Sequence, residues 1–247
     1  SQQPLSYNPE RARRKQRTVK GSLGGALLLV VVLGGVGALV MARRIGNRTS
    51  EGGVPISHTP PSEAWDGSTT LTCTNNQRVS LKGKTITATA SPAIQASGNC
   101  RLTLDGVNLE TKLDAIAVSG NATVTIVGGR YLVGGLALQL SDNGKVDIAQ
   151  SYVELQGGSP ARFAAATNNA KLSLQGTRIL APGRALALFH MSDSAQATMT
   201  SGGVESGGGE GGRASITVHC ARTCRLSGTD LRGATITSTG ATQATVQ

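Results

Sequence analysis

One short pattern recurs along most of this 247-residue chain and restricts its fold more than any other feature. The pattern reads apolar-x-apolar-x-Gly-x-x-apolar, and its first seven copies follow one another at steps of 22 to 27 residues. Gln150 replaces the glycine in the fourth copy, and Ser201 replaces it in the sixth. Seven copies begin at Val79, Leu102, Val124, Val146, Leu172, Ala197 and Cys224, and an eighth starts at Ala244.

A second pattern, led by alanine, lies between these copies. It opens at Ala93, Ala115, Ala137 and Ala185, and related stretches open at Ala161, Ala214 and Ala234. A polar turn follows, with asparagines in similar places at Asn99, Asn121, Asn143 and Asn169. Because asparagine tolerates left-handed backbone angles, these positions predict tight turns.

Each repeat unit therefore consists of a few short strands joined by turns. Side chains alternate between the two faces of a strand, so Leu102 and Leu104 point one way and Thr103 the other. One unit cannot bury its apolar face alone, whereas stacked units can. We expect an all-β solenoid of parallel strands, a β-helix with roughly 7–8 coils about 4.8 Å apart over residues 71–247.

Two other folds fit the repeat less well. A leucine-rich repeat has a similar period but needs a Leu-x-x-Leu-x-Leu run and usually a helical piece. An immunoglobulin-like sandwich would not repeat one motif in register.

The runs Ile94–Leu104 and Ile116–Ile126 share the order Ser-Gly-Asn between two alternating apolar stretches. They resemble the repeats of uncharacterised bacterial envelope proteins with right-handed, pectin-lyase-like parallel β-helix domains. The resemblance covers residues 70–247 and implies a right-handed winding. In that group the domain stands alone, follows a lipid anchor, or forms the outer part of a membrane signalling protein such as a Ser/Thr kinase. The resemblance implies no catalytic residues.

The stretch Gly21–Ala42 runs for 22 residues without a charge. A helix of this length rises about 33 Å, which matches the hydrocarbon core of a bilayer. We therefore predict four parts: a basic cytoplasmic tail (1–20), a transmembrane helix (21–42), a Pro/Gly-rich spacer (43–70) and a β-helix ectodomain (71–247). A cleavable signal peptide is the alternative, although the apolar segment is longer than usual for one.

Positive charge is concentrated beside this span. Residues 1–50 carry a net charge of +8, and residues 51–247 carry +2. The excess before the span predicts a single-pass protein of the bacterial cytoplasmic membrane, with a cytoplasmic N-terminus and a periplasmic or extracellular ectodomain. The lipid bilayer is then a partner, and the basic residues do not indicate nucleic-acid binding. The flanking basic residues are Arg11, Arg13, Arg14, Lys15, Arg17, Lys20, Arg43 and Arg44.

Small residues four apart within the span, Gly21/Gly25 and Gly34/Ala38, match the spacing seen in closely packed helix dimers. This spacing is compatible with a homo-oligomer formed through the transmembrane helix.

The four cysteines Cys73, Cys100, Cys220 and Cys224 all lie in the predicted outer part, where disulfides persist. Three pairings are possible, and we favour Cys73–Cys100 with Cys220–Cys224. The first would tie two coils together, and the second would close a turn. The rival interpretation is a metal site formed by His219, Cys220 and Cys224 with His190.

No residue pattern indicates a catalytic, cofactor or metal site. Cleavage of acidic polysaccharides, the activity of many β-helix enzymes, needs clustered carboxylates, and Asp105 and Asp147 fall in different columns of the repeat. Sugar binding usually uses exposed aromatic rings, but Tyr131 and Phe163 occupy core positions. The run Gly202–Gly212 predicts a loop that bulges from the sixth coil.

We expect a non-catalytic, membrane-anchored envelope protein that presents a rigid surface for binding, adhesion or assembly. Its partner would be an envelope protein or a polysaccharide. The alternatives are the sensor ectodomain of a larger signalling protein, truncated at its N-terminus, and a polysaccharide-active enzyme. The first residue is Ser1 and the last coil stops at Gln247, which is compatible with a fragment of a longer protein.

Overall fold

The structure is a computed structural model that describes residues 64–158, 160–207, 214–221, 223–232, 234–239 and 243–246. The predicted transmembrane helix, its basic flanks and most of the spacer lie outside these residues. Among the residues that are described, no helix is long and apolar enough to cross a membrane.

Three short strands make up each turn of the fold. In the first four turns they are β1 (Leu71–Cys73), β2 (Arg78–Lys82), β3 (Thr85–Ala88), β4 (Ile94–Ala96), β5 (Arg101–Asp105), β6 (Asn108–Thr111), β7 (Ile116–Val118), β8 (Thr123–Val127), β9 (Arg130–Val133), β10 (Leu138–Leu140), β11 (Lys145–Ala149) and β12 (Tyr152–Leu155). The rest are β13 (Ala161–Ala166), β14 (Lys171–Gln175), β15 (Arg178–Ala181), β16 (Ala185–Met191), β17 (Gln196–Thr200), β18 (Gly203–Ser206), β19 (Ala214–Cys220), β20 (Thr223–Ser227), β21 (Asp230–Arg232), β22 (Ala234–Thr239) and β23 (Gln243–Val246).

Every strand pairs in parallel with the strand one turn away. Within the described residues this produces three sheets of eight, eight and seven strands. Sheet A starts with β1, β4 and β7, sheet B with β2, β5 and β8, and sheet C with β3, β6 and β9. The predicted all-β parallel β-solenoid is confirmed, with about seven turns.

The core consists of inward side chains stacked in columns along the solenoid. On sheet B the motif's two alternating apolar positions form two such columns, in which every side chain is at most 3% exposed. One column contains Val79, Leu102, Val124, Val146, Leu172, Ala197 and Cys224, and the other contains Leu81, Leu104, Ile126, Ile148, Leu174, Met199 and Leu226. Burying one Val, Leu or Ile side chain stabilises a fold by about 1.5–3 kcal/mol, so stacking supplies the driving force that one turn lacks.

The motif's glycine forms the corner between sheets B and C. Gly128 has a φ of 67°, in the left-handed region that glycine adopts at no steric cost. Gln150 and Ser201 occupy the same corner in their turns, both with a φ of 52°. The corner therefore requires the left-handed conformation, and the two substitutions keep it.

A ladder of asparagine side chains runs along the corner between sheets A and B. The Nδ2 atom of Asn121 donates to Oδ1 of Asn99 at 3.2 Å, and Nδ2 of Asn143 donates to Oδ1 of Asn121 at 3.0 Å. The same bond joins Asn99 to Asn76 at 3.2 Å and Asn169 to Asn143 at 3.3 Å. The asparagines predicted to lie in similar turns are thus in register, and we call these five residues the asparagine ladder.

The folded part begins before the first strand. Trp65 is 8% exposed and belongs to the core, and its Nε1 donates to the carbonyl oxygen of Thr69 at 2.7 Å. The carbonyl oxygen of Gly67 accepts a hydrogen bond from the backbone N–H of Thr89 at 3.0 Å. Residues 65–70, which the sequence analysis assigned to the spacer, therefore pack on the first turn.

The loop predicted over Gly202–Gly212 is wrong for its first residues. Gly203–Ser206 forms strand β18 of sheet C, where Val204 and Ser206 are buried. Valine at an inward position explains this strand, because it continues the apolar column that contains Ile179. Residues 208–213 lie outside the described part of the chain.

One core side chain carries a buried polar atom without a partner. Tyr131 is 4% exposed, and its Oη has no hydrogen-bond partner among the described residues. Burial raises the pKa of the Tyr131 hydroxyl far above its ordinary value. The neutral hydroxyl is therefore strongly favoured in the folded state, although its burial without a partner is itself unfavourable.

We predict that Tyr131→Phe stabilises the protein by about 1 kcal/mol, because it removes an unsatisfied buried hydroxyl. The folded-state pKa lies above the unfolded-state value of about 10, so the unfolded chain loses this proton first. Below about pH 10 the free energy of unfolding should be unaffected by this group, and it should fall as the pH rises further. This fall should be smaller in Tyr131→Phe. Chemical denaturation between neutral pH and about pH 11 measures both effects. Tyr152→Phe, at a half-exposed tyrosine, is the control, and a less stable Tyr131→Phe variant would contradict the prediction.

Candidate functional site: a cleft on the third sheet

The outer face of sheet C carries the most varied polar chemistry among the described residues. Outward side chains of successive turns are aligned because the strands pair in register. They form two columns, one with Thr85, Asn108, Arg130, Tyr152 and Arg178, and the other with Thr87, Glu110, Leu132, Glu154, Leu180 and Glu205.

A cleft of about 300 Å³ lies on this face across the first three turns. Its outward lining combines hydroxyl, amide, carboxylate, guanidinium and aliphatic groups, contributed by Thr85, Thr87, Asn108, Glu110, Arg130 and Leu132. Small-molecule and sugar sites commonly combine apolar surface with a few placed polar groups in this way.

Arg130 is held in place at one side of the cleft. Its Nη2 lies 2.8 Å from Oε2 of Glu154, and its Cζ lies 5.5 Å from the centre of the Tyr152 ring. The hydrogen bond that Arg130 donates to Glu154 is the main reason why the pKa of Arg130 is raised above its ordinary value. The guanidinium is permanently charged, and its two contacts give a flexible side chain a preferred orientation.

A chain of hydrogen bonds links the polar groups along the cleft floor. Oδ1 of Asn108 accepts from the backbone N–H of Arg130 at 2.9 Å, and Nδ2 of Asn108 donates to Oγ1 of Thr85 at 3.3 Å. The amide of Asn108 is therefore oriented by residues from both neighbouring turns. Oriented amides and hydroxyls can recognise a hydroxyl-bearing ligand with little loss of side-chain entropy.

Glu110 is the carboxylate that remains available in the cleft. Its side chain is exposed, and no hydrogen-bond or ion-pair partner for it occurs among the described residues. Leu132 separates Glu110 from Glu154 in the column, so the two carboxylates lie two turns apart. Two strand spacings are about 9.6 Å, which is near the upper end of the separation in inverting glycosidases. Glu154, however, is ion-paired with Arg130.

Other carboxylates of the described region are engaged in ion pairs or turns. Asp105 lies 3.4 Å from Nζ of Lys82, and Asp147 lies 2.8 Å from Nζ of Lys145. Oδ1 of Asp114 accepts the backbone N–H of Leu136 at 2.8 Å. These pairs are exposed and add little to stability, but they show that these acids contact their own neighbours.

The sequence analysis located some of these residues correctly and missed others. Asp105 and Asp147 do lie in different columns, and Tyr131 and Phe163 are buried in the core. The shared column of Glu110, Glu154 and Glu205 was missed. The signal was available, since each glutamate lies one residue after the last apolar position of a repeat copy.

Both pairs of cysteines form disulfides, with the pairing that the sequence favoured. Cys73 is bonded to Cys100 with a Cα–Cα distance of 5.8 Å, and Cys220 is bonded to Cys224 with a distance of 6.1 Å. The rival metal site would need thiolates at Cys220 and Cys224, so it is incompatible with the second disulfide. His190 and His219 face outwards from sheet A, with ring centres 4.8 Å apart in a stacked arrangement.

The basic residues predicted to flank the membrane span are not among those that the structure describes. They are Arg11, Arg13, Arg14, Lys15, Arg17, Lys20, Arg43 and Arg44. Their role in topology stays a prediction.

Comparisons with known proteins find no matching family model, no similar curated protein and no similar solved structure.

We predict that the two disulfides differ in their contribution to stability. A loop of 27 residues closed by Cys73–Cys100 should contribute about 3.6 kcal/mol by the chain-entropy relation, against about 2 kcal/mol for the four-residue separation of Cys220–Cys224. Denaturation of the double variants Cys73→Ala/Cys100→Ala and Cys220→Ala/Cys224→Ala measures the difference. A larger loss in the second variant would contradict this account of the disulfides.

Proposed function

We propose that this chain is a non-catalytic, membrane-anchored bacterial envelope protein whose rigid β-solenoid binds a polysaccharide of the envelope through the cleft on sheet C. The observation that carries the proposal is Arg130, which Glu154 and Tyr152 hold at the side of a cleft lined by hydroxyl, amide and carboxylate groups. The planar guanidinium, amide and carboxylate groups suit the vicinal hydroxyls of a sugar. Leu132 offers an aliphatic surface for the apolar face of the sugar ring.

The ion pairing of one carboxylate near the cleft favours binding over cleavage. A polysaccharide-cleaving site needs one carboxyl group that protonates the leaving oxygen and a second that acts as base or nucleophile. Of the two glutamates nearest the cleft, Glu154 is already engaged in an ion pair with Arg130. In our proposal this glutamate positions Arg130.

Two features support an extracytoplasmic location. Disulfides persist in oxidising compartments, and the described region has two of them. The uncharged stretch 21–42 with its basic flanks would then provide the anchor. We also assign the solenoid a right-handed winding, because parallel strands joined by crossovers prefer this hand.

The proposal predicts that Arg130→Ala weakens polysaccharide binding by about tenfold, the effect of losing one charge-assisted hydrogen bond. The measurement is binding of the full chain, in a neutral detergent, to an array of envelope polysaccharides and their oligosaccharides. Arg178→Ala is the matched control, because it removes the same charge from the same column outside the cleft.

A second readout separates binding from catalysis. The release of reducing ends from the bound polysaccharide should not exceed that of a protein-free control. Release by the wild-type protein that Glu110→Gln or Glu154→Gln abolishes would contradict the proposal and favour an enzyme. Equal loss of binding in Arg130→Ala and Arg178→Ala would show that the cleft is not the site.

A further inference from the structure

A second surface, on sheet B, has an unusual distribution of charge. Its outward side chains include six cations and two carboxylates, whereas those of sheet C include three cations and four carboxylates. The small positive excess of the described region is therefore concentrated on sheet B. The cations are Arg78, Lys82, Arg101, Lys145, Lys171 and Arg225.

Four of these cations stand in one straight column. Arg78 is the register partner of Arg101, and Lys145 is the register partner of Lys171. Thr123 fills the turn between the two pairs, and within the described residues no acid occurs in this column. Like charges placed opposite each other on neighbouring strands destabilise a sheet, so the fold gains nothing from this arrangement.

The asparagine ladder runs beside this column. In each of the first five turns the ladder residue lies two positions before the column residue, as Asn99 does before Arg101. In four of these turns the ladder residue and the column residue are both exposed. A side-chain amide has two N–H donors, and the ladder uses one, so a second N–H per residue remains available. On the other side of the column lie hydroxyl groups, among them Ser80, Thr103 and Ser173.

The carboxylates near this surface are all engaged. Asp147 pairs with Lys145 at 2.8 Å, and Asp105 pairs with Lys82 at 3.4 Å. Asp142, on the far side of the ladder, accepts from the backbone N–H of Gly120 at 3.2 Å and from Nδ2 of Asn168 at 3.2 Å. Asp193 accepts from the backbone N–H of Asn168 at 3.4 Å. Arg78, Arg101 and Lys171 have no carboxylate partner within the described residues.

We propose that the asparagine ladder and the cation column form a track that binds a linear, phosphate-bearing polymer running along the solenoid axis. The two cations of each pair stand about 4.8 Å apart, so they can contact different oxygens of one tetrahedral phosphate. A planar carboxylate is already satisfied by a single bidentate arginine. A straight line of donors matches a linear chain better than a membrane, which would meet a broad surface. The outward face of sheet B has no aromatic side chain among the described residues, so it lacks the stacking platforms that bind single-stranded nucleic acid.

Long-chain inorganic polyphosphate is the probe for this track. Because the basic N-terminal segment would also attract polyphosphate, binding is read at individual lysines of the full chain, in a neutral detergent, by acetylation and mass spectrometry. At a polymer concentration about four times the Kd, Lys145 and Lys171 should react about fivefold more slowly. Lys112, which is exposed outside the track, should react unchanged. Protection confined to Lys15 and Lys20, or equal protection of Lys112, would overturn the proposal.

Matched variants test the track further, with protection of Lys171 as the readout. Arg101→Gln should raise the polyphosphate concentration for half-protection about tenfold, and Thr123→Lys, which completes the column, should lower it. Arg178→Gln, with the same charge change on sheet C, should leave it unchanged. A thermal melt confirms that each variant is folded. An equal effect of Arg101→Gln and Arg178→Gln, or no gain in a folded Thr123→Lys variant, would overturn the proposal.

Two further arms identify the ligand chemistry. Equal protection by polygalacturonate would overturn the assignment to phosphate and indicate a general polyanion site. Stronger protection when the full chain is reconstituted, without detergent, in vesicles containing phosphatidylglycerol would contradict a polymer ligand and indicate a membrane surface. The track and the cleft lie on different sheets, so either proposal can fail while the other stands.

Discussion

The stacking of inward apolar columns is the interaction on which the rest of this structure depends. A single turn exposes both edges of its strands and most of its apolar side chains, and each further turn covers one of those edges. Leu104 and Ile126, for example, are register partners and are almost completely buried. Parallel pairing then fixes the distance between turns at about 4.8 Å. A change of register by one residue would move an inward side chain to the outer face, which would expose the core.

This constraint also determines the outer surface. Because inward positions cannot slip, outward residues one repeat apart must stand in straight columns. A column can then collect side chains that are far apart in sequence, as Arg130 and Glu154 are. The same geometry accounts for both proposed surfaces, the cleft on sheet C and the track on sheet B. It also rigidifies them, since every column residue belongs to a strand that is paired on one or both sides.

The sequence predicted the features that the stacking constraint controls. The asparagine turns and the buried Tyr131 both follow from residues that occupy one position in successive turns. Both disulfides join residues at or next to such positions, which made their pairing predictable. The length of the folded part before β1 was not predictable, because Trp65 belongs to no repeat and has no counterpart in the later turns. The strand at Gly203–Ser206 was obscured by the surrounding glycines.

The cleft could not have been predicted from the motif. Outward positions are under no packing constraint, so the residue type in a column can change from turn to turn, as it does from Glu110 to Leu132. The column itself can be read from the repeat, but the repeat does not specify which outward side chains fill it. The cleft is likewise lined by outward side chains such as Thr85 and Asn108, which the apolar pattern does not specify. Composition alone also concealed the positive surface of sheet B, because a net charge does not show where on the fold the charges lie.

The register between turns is the central claim, and a cysteine pair tests it most directly. Thr103 and Thr125 are outward register partners, so cysteines at these two positions should have Cα atoms within the range that a disulfide can bridge. The diagonal pair Thr103 and Val127 should be too far apart. After mild oxidation, peptide mapping by mass spectrometry should find the new disulfide in Thr103→Cys/Thr125→Cys and not in Thr103→Cys/Val127→Cys. The opposite result would show a register shifted by two residues and would contradict the columns from which both surfaces are built.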